Sequence, residues 1–407
     1  MKTINFRRVF VLAGLMALVL VYTILWLRMI SSPSERTGSD FISAYTGGRV
    51  ADIWGAENVY NLEYQQAVQQ EVVGFVLAPG QVLMFDHPPF LVPLLSLIMN
   101  GNYLASLDRY AILMVVIYGT GLVIAYRLMR LDGWELAPAL LMLAGLVTFY
   151  PLYVSLLNTQ DTALMILGVF LWFLGLRQKK DVPAGLGLAL TTVRPHIALL
   201  LALPFLFRRR GVFWGFCLAI VGLTGISWLA VGTSGLEAYV RLLMTAAGGE
   251  WFGMHENAMI NLVGLLWRID YNLSGDTIHW IGWTIYGVTL IGLCVLWARS
   301  REIAEKQIGL AVTLAVFVAP HLHYHDLTLL LVVFVAGLLI LVRGGFLRAR
   351  NAALVPLVFS MALLCSNFTP LLEYNFPYLV MLLLVVVLYI PGVIFPGKPS
   401  SHESEIS

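Results

Sequence analysis

The feature that most constrains this chain is the recurrence of apolar runs of membrane length. The first, Val9 to Ile30, follows Lys2, Arg7 and Arg8, and similar runs return until the last twenty residues. A run of about 20 apolar residues crosses the hydrocarbon core as a helix, so the sequence describes an all-α polytopic membrane protein. Only 12% of its 407 residues are charged and 59% are hydrophobic, which leaves a soluble domain of this length too little polar surface. A net charge of +2 carries no message about partners beyond the membrane lipids, and nothing calls for nucleic acid.

Basic residues set the expected topology. No small-residue cleavage site ends the first run, so it reads as an uncleaved span with a cytoplasmic N-terminus. Residues 31–87 form the longest polar stretch, an outer loop. Within it Phe41, Tyr45, Val50, Ile53 and Trp54 recur at helical spacing, as do Leu62, Tyr64, Val68, Val72 and Val73. That pattern predicts two amphipathic helices on the membrane surface, parted at Gly55, Ala56 and Asn58. Pro88 to Met99 is too short to span and reads as a half-membrane helix before the span Leu104 to Leu128. Leu136 to Tyr153 then goes out and Asp161 to Leu176 returns. Pro183 to Phe207 lies between two basic clusters and must turn back on itself at Thr191 to His196. Val212 to Val231 goes out, with residues 232–276 outside or dipping shallowly. Runs at 277–297, 308–319, 327–342, 352–365 and 376–395 complete the bundle, and residues 397–407 form a cytoplasmic tail. This path puts the basic clusters at 127–130, 177–180, 208–210, 299–306 and 343–350 on one side, as the positive-inside rule requires. It gives about 11–13 transmembrane or half-membrane segments in a single domain, 1–407, with both termini inside. Whether 88–100 and 183–207 are re-entrant or spanning is open at this stage. Cys217, Cys294 and Cys365 fall inside apolar runs, match no metal spacing, and read as buried inert thiols.

Ionisable groups within or bordering a membrane are costly, and they mark sites. The topology sends six polar clusters to the outer side: Asp40, Asp86-His87, Asn158 to Asp161, Arg194-Pro195-His196, Glu250 to Asn257, and His321 to Asp326. Six clusters at one depth describe a cavity opening outward. Asp40 has two readings that do not exclude each other, a cap for the helix starting at Phe41 and a reacting carboxylate. Arg194, at the turn of an apolar hairpin, needs an anion. A phosphate suits its planar fork, and an internal salt bridge or a lipid headgroup is the plainer choice. His321, His323 and His325 alternate beside Asp326. They could meet a metal, a phosphate or sugar, or simply the interface. No P-loop, dinucleotide fingerprint, zinc-protease motif or nucleophile elbow is present.

At these residues the chain resembles glycosyltransferase family 87, the polyprenyl-phosphate-mannose-dependent mannosyltransferases of the GT-C fold class. Ser39-Asp40-Phe41 with Val59-Tyr60 is similar to the family's opening motif, and Phe85 to Pro89 to its aromatic-Pro-Pro segment. Thr159-Gln160 sits where members often show Gly-Gln, Arg194-Pro195-His196 where Lys-Pro-Gln is common, and Pro320 to Asp326 resembles its Pro-then-His/Asp segment. The resemblance spans roughly residues 35–345 and departs from the pattern at Arg194. It implies a GT-C-type bundle in the cell (inner) membrane, working on the extracytoplasmic side. The donor would be a polyprenyl-phosphate sugar, mannose first, and the acceptor a hydroxyl on a lipid or polysaccharide, with inversion at the anomeric carbon. Asp40 would be the general base, with His325 and Asp326 as further catalytic candidates. Arg194, His196, His87, His323, Gln160 and Asn158 would bind substrate and donor phosphate. No cofactor is implied and a divalent metal is not required. The competing expectation is a transporter or flippase of a lipid-linked saccharide, against which the absence of an inverted repeat weighs.

Overall fold

A computed structural model describes residues 6–32, 40–78, 81–247, 256–269, 272–300, 305–366 and 375. The expected segment 376–395, the tail 397–407 and most of the cluster from Glu250 onward lie outside them. Among the described residues every regular element is helical.

Helix α1 (Phe6–Ser31) is followed by α2 (Phe41–Trp54) and α3 (Leu62–Val73), where the apolar spacing placed them. The side chain of Asn61 starts α3 by accepting from the backbone N–H groups of Glu63 and Tyr64 at 2.9 and 3.3 Å. The buried face of α3 differs from the expected one, since it centres on Gln65, Val68 and Gln69. Gln65 donates to the Val59 carbonyl (2.7 Å) and accepts from the Phe85 N–H (2.9 Å). Gln69 does both with Leu83, at 2.6 and 3.0 Å. Each amide supplies a donor and an acceptor, so the two glutamines stand in for a neighbouring strand along residues 83–85. Residues at i and i+4 share a helix face, so both reach the same segment and carry it straight to Asp86 and His87.

Next come α4 (Val92–Ile98), α5 (Tyr103–Leu131), α6 (Leu136–Val147), α7 (Tyr150–Leu157) and α8 (Thr162–Arg177). A 50° bend separates α6 from α7. Helices α9 (Asp181–Leu188) and α10 (Pro195–Ala202) are the two arms of the expected hairpin. Its ends meet where Arg209 Nε donates to Asp181 at 2.9 Å. The arm α9 lies tight on α11 (Arg210–Ala247), and a Cβ added at Gly185 would come within 2.0 Å of the Val212 carbonyl. The helix is interrupted directly after Val231, the end the sequence suggested for the span: Gly232, at φ 68° and ψ −175°, leaves the helical conformation and kinks α11, and helix resumes beyond it. Then follow α12 (Leu262–Ile269), α13 (Gly275–Arg299), α14 (Glu305–Val318), α15 (Leu330–Arg343) and α16 (Val355–Ser366).

Six helices among the described residues are long and apolar enough to cross a membrane, or seven if the bent α6–α7 pair is one span, and four shorter apolar helices accompany them. Helix α15 is the most enclosed and packs against α5, α8 and α14. The thiols correct the sequence reading: Cys217 and Cys294 are half-buried and Cys365 is exposed. An apolar run in a membrane protein faces lipid as readily as core, so hydropathy alone does not report burial.

The two ends of the bundle differ. At one, Arg177 bridges Asp132 and Glu305, and Arg343 donates to Asp132 (2.6 Å) and Glu305 (3.2 Å). This cluster ties together the ends of α5, α8, α14 and α15. At the other lie the helix turns that carry the described residues of the polar clusters.

Candidate active site

The turns enclose a cavity of about 1190 Å³, with Asp40 on its wall. Asp40 precedes α2, but its side chain makes no capping bond. Its Oδ2 accepts instead from Gln160 Nε2 at 2.6 Å. The cap reading fails because the carboxylate is turned to the cavity. Gln160 is aimed by the turn between α7 and α8, where Thr159 adopts φ 54° and the Gln160 N–H returns to the Ser155 carbonyl at 2.9 Å. The left-handed region costs a β-branched residue on the order of 1–2 kcal/mol, a cost the surrounding packing sustains. The same turn sets Asn158 on the cavity wall and directs Asp161 inward.

Asp161 is fully buried and lies between His87 and Arg194. Its Oδ2 accepts from His87 Nδ1 at 2.7 Å, and its Oδ1 faces Arg194 Nη2 at 3.6 Å. Burial favours the neutral carboxyl, but Arg194 and His87 outweigh it and hold Asp161 well below the ordinary carboxylate range. Burial likewise works against a charged His87, yet the Asp161 carboxylate keeps that imidazole above its usual value. The backbone of His87 is fixed by the Tyr60 hydroxyl, which donates to its carbonyl at 2.8 Å.

Arg194 sits between the arms α9 and α10. The plain reading, an internal ion pair, is half met: Asp161 lies beyond hydrogen-bond distance, Nη1 reaches the Val193 carbonyl at 3.3 Å, and the buried Nε has no partner. Among the described residues lining the cavity it is the one permanently charged cation. Next to it His196 Nε2 donates to the His321 carbonyl at 3.1 Å, and the Tyr286 hydroxyl donates to the His196 carbonyl at 2.8 Å. His321, His323 and His325 all line the cavity, as alternation suggested, with successive rings 4.8 and 6.0 Å apart. Burial and the neighbouring His325 push His323 down to about 4, so it is neutral at pH 7. Among the described residues no group of three or more His, Cys, Asp or Glu side chains is arranged to hold a metal.

Eight of the nine candidate residues therefore line one cavity: Asp40, His87, Asn158, Gln160, Arg194, His196, His323 and His325. Asp326 does not reach it. Its carboxylate accepts from the His323 N–H and the Thr162 hydroxyl, each at 3.2 Å, and it lies 3.6 Å from His325 Nε2, so it shapes the loop behind the histidines. Sequence reasoning undervalued Asp161, though it stood in a named cluster. It missed His279, Trp283 and Tyr286, spaced four and three apart on α13, because an apolar span hides such a face.

The fold and this cavity define a polytopic helical membrane protein with an ionisable pocket set at one end of its bundle. The family model of glycosyltransferase family 87 matches residues 85–322, more than half of the chain. The chain belongs to glycosyltransferase family 87 and is a membrane glycosyltransferase. Searches of curated proteins and of solved structures returned no match.

Proposed function

We propose that the protein transfers a sugar, mannose first, from a polyprenyl phosphate to an acceptor hydroxyl on the extracytoplasmic side of the cell membrane. One observation carries this reading: a carboxylate and an under-bonded guanidinium face the same cavity, Asp40 held by Gln160 and Arg194 held loosely by Asp161. The acceptor oxygen attacks the anomeric carbon opposite the phosphate and inverts it. The bond from that carbon to the phosphate oxygen breaks, and polyprenyl phosphate leaves with the electron pair. Asp40 takes the acceptor proton, a role that needs a carboxylate within hydrogen-bond reach. Arg194 meets the growing negative charge, with His323 and His325 beside it, while His196 holds the adjoining loop through the His321 carbonyl. This reading assigns the leaving charge to Arg194 and calls for no metal.

The test is transfer from labelled polyprenyl-phosphate mannose by purified protein. Asp40→Asn should keep its melting temperature and donor affinity, since the Asp40 carboxylate caps nothing, and lose on the order of 10²-fold or more in turnover. Normal turnover by the folded Asn variant would remove Asp40 as base. Donor crossing the bilayer with no bond made would favour a flippase.

A further inference from the structure

The imidazole of His87 lines the cavity but has no part in the transfer step set out above. Its Nδ1 is taken by Asp161 at 2.7 Å. Its Nε2, across the ring, has no hydrogen-bond partner among the described residues and opens to the cavity. Asp161 is fully buried, so its carboxylate serves His87 and Arg194 and not a ligand. A carboxylate behind Nδ1 fixes the N–H there and turns Nε2 outward, which is how an imidazole is aimed at a reacting group. The Tyr60 hydroxyl on the His87 carbonyl and the Gln65 amide on the Phe85 N–H hold the segment that carries the ring.

The leaving group gives this ring a task. The donor is a phosphodiester with one negative charge. When its bond to the anomeric carbon breaks, the departing monoester gains a second charge, and its second pKa is about 6. Arg194 offsets that charge but cannot give up a proton. His196 spends Nε2 on the His321 carbonyl, and His323, at about 4, is a neutral ring at pH 7 and too weak an acid to yield its N–H. His87 and Arg194 stand on the same carboxylate, so a phosphate that meets one is presented to the other. The groups facing His87 come from three elements. Burial opposes the imidazolium, as does Arg194 from the hairpin turn, while Asp161 from the α7–α8 turn and Asp86 from the ring's own segment favour it and prevail.

We propose that His87, aimed by Asp161, is the general acid of the reaction and gives its Nε2 proton to the departing phosphate. This rests on the transferase reading above and adds the fate of the proton. The acceptor O–H bond breaks, its proton goes to Asp40, and the acceptor oxygen bonds the anomeric carbon. The bond from that carbon to the phosphate oxygen breaks with its electron pair on oxygen, and the phosphate takes the His87 proton. Polyprenyl phosphate leaves as the monoanion, with His87 neutral and Asp40 protonated. The Asp40 proton then returns to His87 through water in the cavity. One proton has moved from acceptor to phosphate, and no other reactant is needed. Asp161 is a positioning residue, since it touches neither substrate.

The experiment uses the full chain in phospholipid nanodiscs, with labelled polyprenyl-phosphate mannose as donor and lipids extracted from the source membrane as acceptor. Single-turnover rates exclude product release, and the donor phosphodiester does not titrate near neutral pH, so the pH profile reports the protein. Wild type should slow as pH climbs from about 6.5 to 9, as the His87 proton is lost. His87→Gln should slow the step at least about tenfold, toward the roughly 10²–10⁴-fold scale of a positioned acid. It should also remove the alkaline limb and leave the donor KM in place, since Arg194 still meets the phosphate. Asp161→Asn, assayed below its melting temperature, should move the limb to lower pH, because a neutral amide no longer favours the imidazolium. A wild-type profile flat to about pH 9, or wild-type rate from a folded His87→Gln chain, overturns the proposal whether or not Asp161→Asn folds. A raised donor KM with the limb still present makes His87 a phosphate ligand alone and overturns it too. Wild-type protein that moves no sugar from this donor overturns the transfer reading instead.

Discussion

Asp161 accepts a hydrogen bond from His87 on one oxygen and faces Arg194 with the other, while Gln160, its neighbour, holds Asp40. Two adjacent residues of one strained turn thus orient both ends of the proposed reaction. This separates stability from chemistry. Asp40 lies at the cavity wall with a single neutral partner, so losing its charge leaves nothing buried and unpaired. Asp161→Asn strands Arg194 and His87 in a buried site, and breaking a buried pair by removing one partner costs about 3–5 kcal/mol. Thermal unfolding should therefore show Asp161→Asn far less stable than Asp40→Asn. Equal melting temperatures would mean that Arg194 finds its counter-charge elsewhere. The sequence made Asp40 and Arg194 visible, since a charge beside an apolar run demands a reason. It left Asp161 in the background, because a pivot is recognised by what it touches, and its partners lie 74 and 33 positions away.

Helix α3 shows where sequence pattern stops informing. Its existence followed from periodicity, and the structure adds its limits, Asn61 as the N-cap and Gly74 in the left-handed region at its end. Its buried face did not, because Gln65 and Gln69 count as polar in any hydropathy pattern and here lie wholly inside. Gln69 pairs both ends of its amide with Leu83, and Gln65 joins the Phe85 N–H to the Val59 carbonyl, which lies in a turn of helical conformation. Gln65→Leu should leave the Phe85 N–H and the Val59 carbonyl without partners, at about 1–3 kcal/mol for each buried group. Hydrogen exchange at Phe85 should rise in that variant, and transfer should weaken as His87 loses its anchor. Unchanged protection at Phe85 would show that another acceptor replaces the amide. The kink in α11 has the same origin. Glycines with Thr and Ser between apolar runs signal a turn, and whether the helix resumes depends on packing that the sequence does not display.

Across the whole molecule, the two ends are chemically opposed, with ion pairs at one and the cavity at the other. Glu305 stands outside the apolar run that begins at Ile308. Burial acts to raise its carboxyl, but the hydrogen bond and charge of Arg343, with Arg177, bring it below its ordinary value. A carboxylate depressed in the folded state stabilises above its unfolded value and loses that contribution as pH falls through the folded one. Wild type should thus be more stable than Glu305→Gln at pH 7, and the two should converge below about pH 4, near and under the usual Glu value. A constant gap down to pH 3 would show that packing and not charge is what the substitution removes. The sidedness of these ends is open to a direct test. The positive-inside rule expects the end where basic residues cluster with Asp132 and Glu305 to face the cytoplasm, and on that proposal Arg194 is reachable only from outside. In a chain with Cys217, Cys294 and Cys365 replaced, Arg194→Cys should react with an impermeant maleimide added outside, and Lys180→Cys, at the opposite end of α9, only after the membrane is opened. Labelling of position 194 from the cytoplasm alone would invert the whole bundle, because the hairpin ends at Asp181 and Arg209 are tied to each other and cannot be turned over independently.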